Sequence, residues 1–424
     1  VTLEHYITKA RESMVANSAT WEDTIDRIGR WVDFQGAYKT MDKDFMESVW
    51  WAFKELYEKG KIYEGEKVLM YDTRFATPVS KNEVTMDNDA YQTVTDPSVF
   101  VKFKLKDGGA LLAWTTTPWT LPGNTALAVN KDLDYVDVKV GDEQFILAKE
   151  LMEKVLVDEK KQPLEYEIVR ELKGAELVGL EYEPLFTDFS QSNLNLGTKL
   201  SNVTIQPSGK GKSQVRLGGK QYTSDVHPSD GDKVRAIFTN NLFKIWSADY
   251  VSAENGTGIV HLAPIYGEED FVLAQENGIP KAHVLDDNGY YYPEVAEQLY
   301  KLMPWVDSSK PLEVWDNNKN IAKGLEKAGV VWKTEYIRHE YPFNPRSKQR
   351  IMYRAIPSWF FDIQDSKPLM LEQNENINWF PEHLKYGRFA KNIEQAPDWN
   401  LSRDRFWATA MPVWKGDRGT VKVV

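Results

Sequence analysis

The chain has 424 residues, is 42% hydrophobic, lacks cysteine altogether and carries a formal net charge of −11. Without cysteine there is no disulfide, thiolate zinc site or cysteine nucleophile, which fits a reducing cytoplasm. The negative charge opposes generic binding of DNA or RNA, so any RNA contact has to come from a local basic patch or from shape. No apolar run approaches the length of about 18 residues that a membrane span needs.

The N-terminus, Val1-Thr2-Leu3-Glu4-His5, has no Met and no signal-peptide pattern, so the sequence reads as a piece of a longer protein. Residues 1–85 begin helical. Asp42 is positioned to cap a helix whose apolar stripe is Phe45, Met46, Val49, Trp50, Phe53, Leu56 and Tyr57, ending near Gly60. Residues 86–335 read as mixed β and α. The alternation over 99–105 predicts a half-buried strand, turned back by Asp107-Gly108-Gly109 into the apolar strand 110–114. A second hairpin is expected over 135–140 and 144–147, with Gly141-Asp142 as its turn. Many short strands with glycine turns imply a barrel-like core. Lys210, Lys212, Arg216 and Lys220 lie in a stretch, 201–224, without acidic side chains; it reads as a solvated hairpin or an arm touching RNA phosphates. A helix is expected over 268–277, stopped by Gly278.

Between strand and helix signals stands Thr115-Thr116-Thr117-Pro118-Trp119-Thr120-Leu121-Pro122-Gly123-Asn124-Thr125. Pro118 pushes Thr117 toward an extended backbone and can open a short helix with Thr117 as its cap. The product is a rigid ledge of hydroxyls and free N–H groups. By pattern it is either an ordinary capped turn or a seat for a small oxygen-rich ligand. Pattern alone likewise makes Asp270 an acid at a helix start, and His261 a structural residue ending a strand.

Two blocks change this balance. Thr115 to Asn130, and Gly256-Thr257-Gly258-Ile259-Val260-His261-Leu262-Ala263-Pro264-Ile265-Tyr266-Gly267-Glu268-Glu269-Asp270, resemble the two walls of the editing pocket of isoleucyl-tRNA synthetases. The related valyl and leucyl enzymes carry Arg where this chain has Thr117. Arg30-Trp31-Val32-Asp33-Phe34, Met46-Glu47-Ser48-Val49-Trp50-Trp51, Tyr353-Arg354-Ala355-Ile356-Pro357-Ser358-Trp359-Phe360 and Trp399-Asn400-Leu401-Ser402-Arg403-Asp404-Arg405-Phe406-Trp407 resemble other family segments, nearest the eukaryotic-type branch.

The resemblance implies a mixed α/β fold: a β-barrel-like editing domain over 86–335 inserted in a helical or mixed connective region. That region is 1–85 and returns at 336–424, beside a Rossmann-type catalytic domain. The chain contains neither His-x-Gly-His nor Lys-Met-Ser-Lys, the signatures that hold ATP in this family. ATP and Mg would therefore serve only the ligase reaction of the longer parent, and editing would need no cofactor. Where the family often has a zinc-binding Cys pair, this chain has Pro342-Phe343-Asn344-Pro345-Arg346-Ser347-Lys348-Gln349-Arg350, so no metal is inferred. Trp407-Ala408-Thr409-Ala410 departs from the usual Trp-Gly-Thr-Pro on the synthetic side.

The implied partner is tRNA(Ile) mischarged with valine. Isoleucine and valine differ by one methylene, which binding alone cannot resolve well enough, so that a second site hydrolyses what is small enough to enter. By resemblance, Asp270 binds the substrate ammonium, His261 and Ala263 wall the side-chain pocket, and Thr115, Thr116 and Thr117 hold the terminal adenosine, the ester oxygens and the water. Trp119 stacks or packs, and Asn124 braces the loop. Direct attack by water is expected, because no Ser-His-Asp or Cys nucleophile is visible. The other reading is a tRNA-binding module without catalysis.

Overall fold

The computed structural model describes residues 2–16, 18–34, 36–86, 90–158, 160–186, 203–208, 212–217, 220–224, 241–416 and 420–424. The chain forms two compact units, one of Val1–Gly65 with Pro357–Val424 and one of Glu66–Ile356. Among the described residues no helix is long and apolar enough to cross a membrane.

In the first unit the helix Lys43–Glu58 begins after Asp42 as expected. The Asp42 carboxylate does not cap it, however; it accepts a hydrogen bond from the Lys39 N–H at 3.2 Å instead. The apolar stripe is only partly covered. Phe53 is buried, Val49 is 41% exposed, and Trp50 donates its ring N–H to the Ala410 carbonyl at 2.7 Å. Phe53 and Tyr57 both meet the edge or face of Trp359.

In the second unit β1 (Ile62–Asp72), which starts just before the unit boundary, pairs with β2 (Thr77–Pro78). The central sheet uses β3 (Tyr91–Lys104), β4 (Ala110–Thr115), β6 (Asp134–Val140), β7 (Glu143–Ala148), β8 (Glu167–Lys173) and β14 (Val331–Pro342), in the order β14-β3-β4-β7-β6-β8. Both expected hairpins are present, with Val99 opposite Thr115 in one and Val138 opposite Phe145 in the other. Over 99–105 the expected alternation is present from residue 101 on: Val101, Phe103 and Leu105 are buried, Lys102 is half-buried and Lys104 exposed, whereas residues 96–101 are buried without a break.

A second, three-stranded sheet is built from β5 (Ala126–Val129), β12 (Ile245–Ser247) and β13 (Ile259–Leu262), in the order β12-β5-β13. β5 is fully buried, and its alanines let the cluster of Ala248, Leu262, Leu273, Ala274 and Ile279 pack close against it. A third sheet holds β9 (Val203–Ser208), β10 (Lys212–Leu217) and β11 (Lys220–Ser224); the side chains of this basic stretch, and Lys210, lie outside the described residues. The mixed α/β class is as expected. The barrel is not: among the described residues no sheet closes on itself. The described strands of the central sheet run from β14 to β8, and these two do not pair with each other.

The helix Glu268–Asn277 has the expected bounds, with three acids in its first turn and Gly278 left-handed at φ 65°. The stretch 342–350 carries a hydrogen-bonded cluster. Buried Asp72 accepts from the Arg74 and Phe75 N–H groups, from Asn344 Nδ2 at 2.5 Å and from the Ser347 hydroxyl. A single carboxylate thus joins two loops through four donors.

Candidate active site

β4 delivers Thr115 to its own end, and Pro118 opens a 3₁₀ helix, Pro118–Gly123. Its bonds are of the three-residue kind, Thr120 N–H to the Thr117 carbonyl at 2.9 Å and Asn124 N–H to the Leu121 carbonyl at 3.1 Å, while Pro122 inside it has no N–H to give. Thr117 precedes it at φ −126°, ψ 66°, and its side chain does not cap it. Its hydroxyl instead lies 3.2 Å from that of Thr115 and 3.4 Å from that of Thr120. The Thr115 oxygen also accepts the Thr117 N–H at 3.2 Å. Thr116, the middle residue, is half-buried.

This chain of hydroxyls runs on to His261. Thr120 Oγ1 lies 2.9 Å from His261 Nε2, and Asn124 Nδ2 lies 2.9 Å from His261 Nδ1. The proton positions follow from the neighbours. The Tyr182 hydroxyl meets Asn124 Oδ1 at 2.6 Å, and Asn124 Nδ2 faces the Ala126 carbonyl at 2.9 Å. A carbonyl can only accept, so the Asn124 amide nitrogen must point that way and also donate to Nδ1. Nε2 then carries the ring proton and donates it to Thr120, whose own proton goes to the Thr117 carbonyl at 2.8 Å. His261 is therefore a neutral donor with both nitrogens used. Burial pushes its pKa down to about 3. This arrangement suits a wall, not a general base.

His261 sits inside β13 opposite Leu127, one residue before the strand ends, and is 7% exposed. Two residues on, the Ala263 N–H donates to Asp270 Oδ2 at 3.0 Å. The carboxylate folds back over Gly267, where a Cβ would stand 2.7 Å from Oδ2. Asp270 keeps some accessible surface yet has protein densely around it, and burial pushes its carboxyl up to about 6. The Ala263 bond and Tyr250 oppose that rise, while neighbouring Glu269 adds to it. The buried Tyr250 hydroxyl makes no hydrogen bond of ordinary geometry, although Asp270 and Glu269 are near enough to help burial push its pKa up. A carboxylate with no cation beside it among the described residues is chemically suited to receive one.

Trp119 lies apart from these groups. It is 3% exposed, edge-on to Tyr266 and Trp315 with centroids 5.2 and 5.4 Å away. The structure thus joins Thr115, Thr117, Asn124 and His261 in one network. It pairs Ala263 with Asp270 and places the Trp119 ring in the core.

The sequence profile of the class I tRNA synthetases (I, L, M and V) matches residues 1–424. The chain belongs to that family. An isoleucine–tRNA ligase of Bdellovibrio bacteriovorus is 37% identical over 424 residues, covering 99% of this chain and 34% of the relative. One from Chlamydia trachomatis is 38% identical over 408 residues, covering 95% and 33%. The resemblance read from the sequence motifs is borne out by these matches. The synthetase chain spans about a third of the length of these curated relatives. Among solved structures, the P. knowlesi cytosolic leucyl-tRNA synthetase editing domain aligns with 56% of this chain and 95% of its own, at 11% identity and TM-score 0.30. GlLeuRS-CP1 aligns at 12% identity and TM-score 0.32, over 56% and 99%.

Sequence reasoning missed three side chains of this candidate site. Thr120 had a signal, since three-residue spacing from Thr117 aligns side chains in a 3₁₀ turn. Tyr182 and Tyr250 had none, because only tertiary folding brings them to Asn124 and Asp270. One expected result follows for His261: its imidazole stays in the neutral, Nε2-protonated form from pH 8 down to pH 5. Ring-nitrogen NMR of the folded chain reads this directly, and a titration midpoint between 5 and 7 would contradict the assignment.

Proposed function

We propose that this chain carries the hydrolytic editing site of an isoleucyl-tRNA synthetase and releases valine from mischarged tRNA(Ile). The observation that carries the reading is the linked set of Thr115, Thr117, Thr120, Asn124 and His261, with Asp270 held by Ala263 just beyond β13. The substrate ammonium pairs with Asp270, a carboxylate that burial leaves short of neutralising partners. His261 and Ala263 limit the side chain, because a ring fixed at both nitrogens cannot yield to an extra methyl group. Water attacks the ester carbonyl carbon, and the bond from that carbon to the ribose oxygen breaks. The ribose oxygen takes a proton, and valine and intact tRNA leave. Hydroxyls and N–H groups of the ledge from Thr115 to Thr117 hold the carbonyl oxygen as negative charge develops on it. Since His261 donates through Nε2 and is not free to accept a proton, it does not deprotonate the water. Trp119 supports the ledge by packing and does not stack on substrate.

The ligation of isoleucine to tRNA(Ile) with ATP and Mg belongs, in this reading, to the longer parent. The deciding experiment offers valyl-tRNA(Ile) and isoleucyl-tRNA(Ile) to the folded chain. Valine release is expected to be faster than isoleucine release. No valine release above buffer, with tRNA still bound, would replace this reading by that of a tRNA-binding module.

A further inference from the structure

The 3₁₀ helix under the threonine ledge has an unusual support. A helix start leaves N–H groups that a local side chain normally takes up. Thr117, at the cap position, does not do so. The Trp119 N–H is instead taken by Asn318 Oδ1 at 3.2 Å, from the helix Val314–Lys327, 199 residues away in sequence. The Trp119 carbonyl accepts from the Tyr291 hydroxyl at 2.7 Å. Both partners are 4% exposed. The two hydrogen-bonding groups of one peptide residue are thus clamped from outside the turn.

We propose that Asn318 and Tyr291 are positioning residues of the editing site, and that Asn318 acts as a distant cap that frees the Thr117 hydroxyl. With the Trp119 amide already satisfied, Thr117 Oγ1 has no capping duty. It faces Thr115 and Thr120, where the proposed chemistry needs a hydroxyl. If the distant cap is removed, the nearest side chain able to satisfy the helix start is Thr117 itself, by rotating away from the site. The prolines at 118 and 122 stiffen the turn but cannot fix its rotation, since neither has an N–H to anchor. Trp119, clamped at N–H, C=O and ring, supplies that anchor. The catalytic part of this inference rests on the editing reading above; the structural part does not.

The test combines hydrogen–deuterium exchange of the peptide segment 115–125 with valine release, on the full chain. For Asn318→Ala, exchange in the segment should quicken roughly five- to tenfold while β3 keeps its protection. The turnover number for valine should fall about tenfold to hundredfold. Asn318→Asp, which keeps an acceptor, should recover part of both losses. Tyr291→Phe removes one hydroxyl and no packing, and serves if Asn318→Ala does not fold; it should show the same pattern, weaker. Unchanged exchange in the segment, or quickened exchange with wild-type valine turnover, would overturn the proposal. So would a loss of protection spread equally over β3. If wild-type protein releases no valine, the editing reading fails, and the exchange data alone still decide whether the clamp holds the turn.

Discussion

Asp270→Asn is expected to lower valine release tenfold to hundredfold or more while leaving the fold at pH 8 as stable as wild type, or more stable. Asparagine keeps an acceptor for the Ala263 N–H and offers an amide hydrogen to the Tyr250 hydroxyl, which has no well-formed bond now. What it removes is the negative charge, and with it a charge-assisted bond to the substrate ammonium of about 1.5–3 kcal/mol. The stability effect has the opposite sign. Burial raises the Asp270 carboxyl from 3.8 in the unfolded chain to about 6 in the fold. Below pH 4 both states are protonated and nothing is lost. Between pH 4 and 6 the unfolded chain ionises more readily than the fold, so stability falls, and above 6 the penalty is complete. It is on the order of 2 kcal/mol, allowing for the surface Asp270 keeps. Wild type should therefore lose stability relative to Asp270→Asn across that window and run parallel to it above. Denaturant melts at pH 4 and pH 8, paired with valine release on one preparation, measure both effects. A variant that is destabilised at pH 8 yet hydrolyses normally would make Asp270 a helix-start acid and misplace the site.

The second large effect is structural. Gly258→Ala should destabilise the Glu66–Ile356 unit by roughly 3 kcal/mol or more, a fall in melting temperature of about 6–12 °C. Gly258 leads into β13 at φ 70°, a backbone conformation that costs an L-residue about 1–2 kcal/mol. An added Cβ would also stand 2.4 Å from the Ala148 Cβ, so one strand end must move. Thr257 is tied to that neighbour by its carbonyl, which accepts the Ala148 N–H at 2.8 Å, and His261 lies three residues on. The displacement thus reaches the site as well as the core. Gly141→Ala separates the two causes. Gly141 has φ 61° but nothing within 4 Å of its added Cβ, so only the backbone strain applies. Equal losses at both positions would show that the close approach to Ala148 carries no energy.

Local order was legible where a chemical reason acts over a few residues. Asp107-Gly108-Gly109 turned β3 into β4, and Gly278 stopped the helix after Asn277, because glycine alone enters the left-handed region cheaply. Local reasoning failed where another partner displaced the expected cap. Asp42 and Thr117 both stand at helix starts, and neither caps: Asp42 takes the Lys39 N–H, and Asn318 takes the duty expected of Thr117. The barrel inference failed for a related reason. Strand number and turn residues are local, whereas closure depends on whether the last strand finds the first, and β8 does not find β14.

The sequence by itself determined the elements and the residue types of the site: three hydroxyls between a strand and a proline, a histidine in a strand, an acid in the first turn of a helix. The tertiary structure alone decided their states. His261 is neutral and a donor because Tyr182, 58 residues from Asn124, turns the Asn124 amide toward it. Burial pushes the Asp270 carboxyl up to about 6, with no cation among the described residues to oppose it. The Thr117 hydroxyl lies with those of Thr115 and Thr120, while Asn318, from a helix near the far end of the same unit, takes the Trp119 N–H. Protonation and orientation depend on every group within a few ångströms, and which groups those are is fixed only when the chain has folded.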